Sequence, residues 1–342
     1  MAIKLGINGF GRIGRQVARL AAKNPEIDLV AFNDLCDAKT NAHLFKYDST
    51  YGRYDGSVEL KGDEFIIDGD SVKMLSEKDP AQLPWGELGV EVVLESTGVF
   101  RDQAKCGLHL EAGAKRVLLS APAKGEMPTY VLGVNHEQWL ADGKPAVISN
   151  ASCTTNCLAP VAKVLNDNWG IKRGLMNTIH AYTNDQKILD QMHSDLRRSR
   201  SAAVNIIPTT TGAAKAIGLV IPDLQGKMDG FALRVPTVTG SVVDLTVELA
   251  EPVPGKDEKE QANAINAALT AAAEGELKGI LAVATDPIVS MDIVQDPHSS
   301  IADLEMTKVL DHTFAKVLSW YDNEWGYSCR CIDLLQFMAQ QG

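Results

Sequence analysis

The stretch Ile7-Asn8-Gly9-Phe10-Gly11-Arg12-Ile13-Gly14 decides the fold of the first half of the chain. An apolar strand over residues 3–7 leads into it, and the apolar spacing that follows predicts a helix from Ile13. The three glycines permit a tight turn, close approach of the backbone to a pyrophosphate, and close packing of helix on strand. The helix N-terminus would face the phosphates. This pattern predicts a dinucleotide-binding unit in which Gly9, Gly11 and Gly14 contact the cofactor.

An acidic residue follows at the spacing that such a unit requires. Asp34 lies 20 residues after Gly14, at the end of a second predicted strand over residues 29–33. Its carboxylate can accept hydrogen bonds from ribose hydroxyls and would repel a 2′-phosphate, so we expect NAD rather than NADP. The plainer alternative is a glycine turn followed by a surface aspartate.

Three more strands, over residues 90–95, 116–120 and 147–149, continue the pattern of a doubly wound parallel sheet. Each ends in small or polar residues, which places Thr97 and Ser120 at the edge where ligands gather. We expect both to contact the cofactor, although serine and threonine also form ordinary turns.

The second half of the chain has a different pattern. Strands are predicted over residues 173–180, 241–249, 287–294 and 314–319, with a helix over 257–273 and a long polar loop over 181–212. The fold class is therefore α/β: an N-terminal Rossmann domain plus an α+β catalytic domain with a mostly antiparallel sheet. We place the NAD-binding domain at residues 1–152 and 323–342 and the catalytic domain at 153–322. The predicted loop over 181–212 is long for a compact domain, and such a loop is usually functional or buried at a subunit contact.

The segment Ser149-Asn150-Ala151-Ser152-Cys153-Thr154-Thr155-Asn156-Cys157 places a cysteine where an apolar helix begins. Free N–H groups and the positive end of the helix dipole would stabilise a thiolate on Cys153 and an anion beside it. A free cysteine is otherwise commonly a buried apolar residue.

Composition excludes several classes of protein. The 342 residues carry a formal net charge of −11, which argues against nucleic acid or an anionic membrane as the primary ligand. Six cysteines, no secretory leader pattern and no long apolar run favour a reduced, cytoplasmic enzyme. The cysteine spacing does not match a zinc site, and we expect no metal.

Six separated motifs resemble one family, the phosphorylating glyceraldehyde-3-phosphate dehydrogenases. They are the stretch 7–15, the stretch 149–156, His180-Ala181-Tyr182-Thr183-Asn184-Asp185-Gln186, Asp195-Leu196-Arg197-Arg198, the stretch 207–215 with Thr209-Thr210-Thr211-Gly212, and Trp320-Tyr321-Asp322-Asn323-Glu324-Trp325-Gly326-Tyr327. The resemblance covers essentially the whole chain. It implies a two-domain fold, NAD as cofactor, a homotetramer, and oxidation of glyceraldehyde 3-phosphate to 1,3-bisphosphoglycerate in glycolysis.

By this resemblance Cys153 is the nucleophile and His180 the general base. The thiolate would form a hemithioacetal with the aldehyde, and His180 would take the proton from its oxygen as a hydride leaves to NAD. Inorganic phosphate would then attack the resulting thioester.

The resemblance also assigns the remaining site residues. Thr183 and Arg234 would bind the substrate phosphate, Ser152, Thr154, Thr211 and Gly212 the inorganic phosphate, and Arg198 both. The cofactor residues it implies, beside Gly9, Gly11, Gly14, Asp34, Thr97 and Ser120, are Arg12, Ile13, Asn323 and Tyr327. Gln191 and Met192 stand where NAD-specific bacterial members commonly carry Leu-Pro.

Other functions stay open on the residues alone. A sibling erythrose-4-phosphate dehydrogenase would share the nucleophile, and a non-phosphorylating aldehyde dehydrogenase would not need inorganic phosphate. A cysteine hydrolase would use Cys153 and His180 without a dinucleotide. A binding or scaffold role would not need the thiol.

Overall fold

Two large sheets organise the chain, each within its own structural unit. The computed structural model describes residues 2–62 and 64–341. One unit is formed by Met1–Tyr130, His136–Ala151 and Ser328–Gly342, and the other by Val131–Asn135 and Ser152–Tyr327.

Among its described residues, the first unit contains ten strands. In chain order these are β1 (Ile3–Asn8), β2 (Ile27–Asn33), β3 (Tyr47–Asp48), β4 (Gly52–Arg53), β5 (Val58–Lys61), β6 (Glu64–Ile67), β7 (Asp70–Leu75), β8 (Val92–Glu95), β9 (Arg116–Leu119) and β10 (Val147–Ser149). Eight of them form a sheet in the order β10-β9-β8-β1-β2-β7-β6-β5, and β3 pairs with β4. The pairs from β10 to β7 are parallel, whereas β7, β6 and β5 are antiparallel neighbours.

Helices connect the strands of this unit: α1 (Arg12–Ala21), α2 (Ala38–Lys46), α3 (Gln103–Glu111) and the short α4 (Gln138–Ala141). The C-terminal α8 (Trp325–Gln340), which follows the last strand, belongs to the unit from Ser328 onward. Every residue of β8 is buried, as expected for a strand covered on both faces of a parallel sheet. The register sets Asn8 of β1 beside Glu95 of β8 and Asn33 of β2, so the three carboxyl ends meet at one edge.

The second unit contains seven strands and three helices. These are β11 (Ile171–Ala181), β12 (Ile207–Thr210), β13 (Met228–Val235), β14 (Ser241–Leu249), β15 (Leu281–Ala284), β16 (Ser300–Leu310) and β17 (Phe314–Tyr321), with α5 (Cys153–Trp169), α6 (Ala213–Val220) and α7 (Glu258–Glu274). The sheet order is β12-β13-β11-β14-β17-β16-β15, and four of its six pairings are antiparallel. The fold class expected from the sequence, a dinucleotide-binding α/β unit plus an α+β unit, is confirmed.

Two predictions about this second sheet are wrong. Residues 287–294 are not a strand: Asp292 accepts a hydrogen bond from Val289 N at 2.7 Å and closes a turn there. The strands at that end of the sheet are instead β15 and β16. The predicted loop over 181–212 also contains a strand, β12, which pairs with β13.

Within residues 2–62 and 64–341, no helix is both long and apolar enough to cross a membrane.

Candidate active site

The glycine turn between β1 and α1 has a different constraint at each glycine. Gly9 has φ +94°, and a Cβ there would lie 2.6 Å from Thr97 N. A Cβ on Gly14 would lie 2.1 Å from Gly9 O, so only glycine lets α1 pack this closely on the turn. A Cβ on Gly11 would meet nothing within 4 Å, and no side chain caps α1 at that residue. A helix start with no side-chain cap and an open position at Gly11 is suited to an anion.

Asp34 links the end of β2 to this turn. Its carboxylate accepts hydrogen bonds from Phe10 N and Cys36 N, each at 2.8 Å. The group is partly exposed, and a carboxylate has further lone pairs with which to accept ribose hydroxyls. Arg12, the first residue of α1, forms an ion pair with Asp48.

A buried carboxylate that sequence reasoning missed lies under this edge of the sheet. Glu95 is fully buried and accepts hydrogen bonds from Asn8 Nδ2 at 2.6 Å and from Thr97 N at 2.8 Å, with His109 Nε2 3.0 Å away. Ser120 Oγ donates to the Glu95 carbonyl at 3.1 Å. Thr97 and Ser120, the two residues predicted from strand ends, thus both donate hydrogen bonds to Glu95. The sequence signal for this carboxylate was the position of Glu95, a charged residue directly after the apolar run Val92-Val93-Leu94.

Cys153 is the first residue of α5. Ser152 caps this helix, since its Oγ accepts a hydrogen bond from Thr155 N at 3.0 Å. The Cys153 side chain is partly exposed, and its Sγ lies 3.5 Å from His180 Nε2. The structure therefore brings together the two residues assigned to catalysis.

The ring of His180 is held on its other side. Its Nδ1 lies 2.6 Å from Ala181 O and 2.8 Å from Arg234 Nη1. His180 and Arg234 are neighbours because β11 and β13 run parallel with these residues in register.

Burial and the guanidinium of Arg234 together set the charges at this pair. Burial raises the pKa of the Cys153 thiol, while the charge of Arg234 and hydrogen bonding to Thr154 oppose that rise. Burial, assisted by the charge of Arg234, lowers the pKa of His180 to about 3. In this arrangement Arg234 is the cation that acts on the sulfur, and His180 is neutral at physiological pH.

The second predicted arginine, Arg198, has partners both in the loop that follows β11 and in β12. It donates to Thr209 Oγ1 at 2.8 Å and to Thr210 O at 3.2 Å, and it forms an ion pair with Asp185. Its charge lowers the pKa of both His180 and Arg234, a minor contribution beside burial in each case. Thr209 and Asp185 had no assigned role in the sequence analysis.

The remaining residues assigned to phosphate lie at two helix starts and in the loop. Thr154 Oγ1 is 2.9 Å from the hydroxyl of the buried Tyr321, and Thr211 Oγ1 accepts from Ala213 N at 3.2 Å. Gly212 is the N-cap of α6 and is open where a Cβ would stand. Thr183 is partly exposed.

Two residues assigned to the cofactor belong to the second unit. Asn323 is 4% exposed, and its Oδ1 lies 2.8 Å from Ser241 Oγ. Tyr327 is buried in the first turn of α8. The other cofactor residues, Gly9, Gly11, Arg12, Ile13, Gly14, Asp34, Thr97 and Ser120, belong to the first unit.

Cys157, one helical turn after Cys153, is fully buried. Its Sγ contacts Ser300 Oγ at 3.7 Å and Ser319 O at 3.6 Å, and burial raises its pKa to about 12. It packs as a small apolar residue.

Comparison with known proteins covers both units. Residues 3–103 match the model of the glyceraldehyde 3-phosphate dehydrogenase NAD binding domain, and residues 152–323 match that of the C-terminal domain of the same family. The chain is 58% identical to glyceraldehyde-3-phosphate dehydrogenase of Mycolicibacterium smegmatis over 99% of both chains. It is 56% identical to the enzyme of Geobacillus stearothermophilus and 54% identical to glyceraldehyde-3-phosphate dehydrogenase 1 of Bacillus subtilis, over the full length of each. The chain therefore belongs to the glyceraldehyde-3-phosphate dehydrogenase family.

Proposed function

We propose that the protein oxidises glyceraldehyde 3-phosphate with NAD and inorganic phosphate, using Cys153 as nucleophile and His180 as general base. Family membership makes the chain an NAD-dependent oxidoreductase of glycolysis. The observation that carries the residue assignment is the 3.5 Å contact between Cys153 Sγ and His180 Nε2 at the start of α5. This placement gives the sulfur a proton acceptor and a helix N-terminus together.

The chemistry follows from these two side chains. His180 Nε2 takes the thiol proton as the Cys153 sulfur adds to the aldehyde carbon, and it returns that proton to the aldehyde oxygen to give a hemithioacetal. NAD, held by the residues described below, would supply the acceptor for the hydride that leaves this carbon. His180 Nε2 takes the hydroxyl proton as the carbonyl forms, leaving a thioester on Cys153. An oxygen of inorganic phosphate then attacks the thioester carbon, and the Cys153 thiolate leaves as the acyl phosphate forms.

Arg234 and Arg198 support the proposed binding of two anions. Arg234 Nε is buried and has no hydrogen-bond partner within the residues that the structure describes, so an anion would satisfy it. Such an anion would also offset the positive charge that lowers the pKa of His180, making His180 a stronger base once substrate is bound. Thr183 would share the substrate phosphate with Arg234. Ser152, Thr154, Thr211 and Gly212 would hold the inorganic phosphate, with Arg198 serving both anions.

The turn around Gly11 fits the proposed cofactor. Its Cβ position is open and the N–H groups at the start of α1 lack a side-chain cap, which suits a pyrophosphate. Asp34 would hold the adenosine ribose and Asn323 the nicotinamide amide. Arg12, Ile13, Thr97, Ser120 and Tyr327 complete the proposed cofactor contacts. We assign the first unit to NAD binding and the second to catalysis.

We also propose that the protein is a cytoplasmic homotetramer. Several large apolar side chains of the second unit are exposed: Leu175 (68%) and Phe231 (50%) on the sheet, and Ile188 (76%), Leu189 (76%) and Met192 (93%) in the loop after β11. Exposed apolar surface of this kind is typical of subunit contacts.

The test is NADH formation from glyceraldehyde 3-phosphate, followed by absorbance with and without inorganic phosphate. We expect turnover that requires phosphate and is abolished in Cys153→Ala, with erythrose 4-phosphate a poorer substrate at equal concentration. Turnover that is independent of phosphate would refute the proposed thioester phosphorolysis. Activity that persists in Cys153→Ala would refute the nucleophile.

A further inference from the structure

Ser241 and Asn323 form a buried hydrogen-bonded pair in the second unit. Ser241, the first residue of β14, is fully buried, and its Oγ accepts a hydrogen bond from Ala181 N at 3.1 Å. The same Oγ lies 2.8 Å from Asn323 Oδ1. Ala181 directly follows His180, so this chain of bonds joins the strand of the general base to Asn323.

The direction of these bonds is determined by proton count. A serine hydroxyl has one proton, and a hydroxyl that accepts from a backbone N–H still has that proton to donate. Its recipient is Asn323, and the atom of the amide that faces Ser241 is therefore the oxygen. If the amide were reversed, the buried hydroxyl proton of Ser241 would have no acceptor at this contact.

Thr239 does not determine the orientation of this amide. Its hydroxyl lies 2.9 Å from a carboxylate oxygen of Asp322 and 3.3 Å from Asn323 Oδ1. A charged carboxylate is the stronger acceptor, so the single proton of Thr239 goes to Asp322. Asn323 is consequently oriented by Ser241.

We propose that Ser241 is a positioning residue, which holds the amide of Asn323 so that Nδ2 is the atom presented to the carboxamide oxygen of the cofactor. This rests on the proposed role of Asn323 toward NAD. Asn323 Nδ2 has no hydrogen-bond partner among residues 2–62 and 64–341, which leaves both of its protons for a ligand. An amide free to turn would present its oxygen about as often as its nitrogen and would lose the bond to the carboxamide oxygen.

Binding of NAD and of ADP-ribose to the protein without cofactor tests this inference, because ADP-ribose lacks the nicotinamide ring. Isothermal titration of Ser241→Ala should show roughly three- to tenfold weaker binding of NAD, the loss expected for one neutral hydrogen bond. ADP-ribose affinity should stay unchanged. Ser241→Cys has a side chain of similar volume with a weaker donor. Its NAD affinity should lie between those of Ser241→Ala and the unmodified protein.

Ser319→Ala is the matched control. Ser319 is also a buried serine of this sheet, and its Oγ lies 2.7 Å from Ser300 Oγ rather than near Asn323. This variant should bind both ligands normally. In an Asn323→Ala background, Ser241→Ala should cause no further loss of NAD affinity, because the two residues act through one bond.

The possible failures are distinguishable. Equal weakening of NAD and ADP-ribose in Ser241→Ala, or an additive loss in the double variant, would show that Ser241 only supports the fold. Weaker NAD binding in Asn323→Ala with none in Ser241→Ala would overturn the orientation while leaving the role of Asn323 intact. Unchanged NAD binding in Asn323→Ala would overturn both.

Discussion

His180 Nδ1 lies within hydrogen-bond distance of a donor, Arg234 Nη1, and of an acceptor, Ala181 O. One nitrogen cannot accept a proton from the first and donate one to the second at the same time. When Nδ1 carries the proton and donates to Ala181 O, Nε2 has a free lone pair facing Cys153. Arg234 and Ala181 therefore influence whether Nδ1 or Nε2 of His180 can accept a proton.

Replacing His180 by asparagine should change how Cys153 ionises. Burial raises the pKa of this thiol. Without His180 Nε2, which lies 3.5 Å from Sγ, the thiol can lose its proton only to solvent. In His180→Asn we expect the rate of iodoacetamide alkylation to rise with pH only near or above the ordinary thiol value of about 8.5. At neutral pH the rate should be lower than in the unmodified protein.

The same variant should lose roughly 10²- to 10⁴-fold in kcat, the usual contribution of a general base. Cys36→Ser provides the control, because Cys36 is the other partly exposed cysteine. Identical alkylation profiles with and without His180 would contradict its assignment as proton acceptor.

At the scale of elements, local pattern predicted most of what positions the site. The strand and helix around the glycine turn, the strand at residues 147–149 and the strand Ser241–Leu249 all lie where their apolar periodicity placed them. Cys153 was identified from its place at the start of a predicted helix, and His180 from a motif that resembles a family. Their 3.5 Å separation was beyond reach, since it depends on how α5 packs on β11.

The elements missed have weak local signals. β12 contains Pro208 followed by two threonines, a composition typical of a loop, and only its pairing with β13 makes it a strand. β16 changes register against β17 between Asp303 and Lys308, which breaks the alternation a long strand would show. Glu95 looked like an ordinary strand end because its partners, Asn8 and His109, are distant in sequence.

Gly11 and Gly14 of the turn should respond differently to replacement by alanine. Gly14→Ala would place a methyl group 2.1 Å from Gly9 O and force α1 away from β1, so we expect a loss of about 1–3 kcal/mol of stability and weaker NAD binding. Gly11→Ala would place its methyl group in open space and should weaken NAD binding with little effect on stability.

Thermal unfolding without cofactor and NAD titration of the two variants separate these effects. Equal melting temperatures for Gly14→Ala and the unmodified protein would contradict the close contact at Gly14. Normal NAD affinity in Gly11→Ala would argue against a pyrophosphate at this turn.

At the scale of the whole molecule, one face of the second sheet is exposed. Along β11 exposed and buried side chains alternate, so that Leu175 points outward while Met176 and Thr178 are buried. Phe231 on β13 is in register with Asn177 and is half exposed. The proposed tetramer would cover this apolar surface.

Phe231→Glu should therefore weaken assembly, because a charge buried without a partner at a subunit contact is costly. Analytical ultracentrifugation should show species smaller than a tetramer. Leu140→Glu, which changes an exposed leucine of α4 in the first unit, is the control and should leave the sedimentation coefficient unchanged. An intact tetramer in Phe231→Glu would place the contact elsewhere.

The distribution of the six cysteines has a consequence for how the protein responds to electrophiles. Cys106, Cys157, Cys329 and Cys331 are buried, and only Cys36 and Cys153 are partly exposed. Burial also raises the pKa of Cys106 and Cys157 to about 12, which keeps these two thiols uncharged under physiological conditions. A diffusing oxidant or a covalent drug fragment thus meets two sulfurs, one of which is the proposed nucleophile, Cys153. With Cys36 replaced by serine, a single fluorophore or spin label could be attached stoichiometrically at the reaction centre.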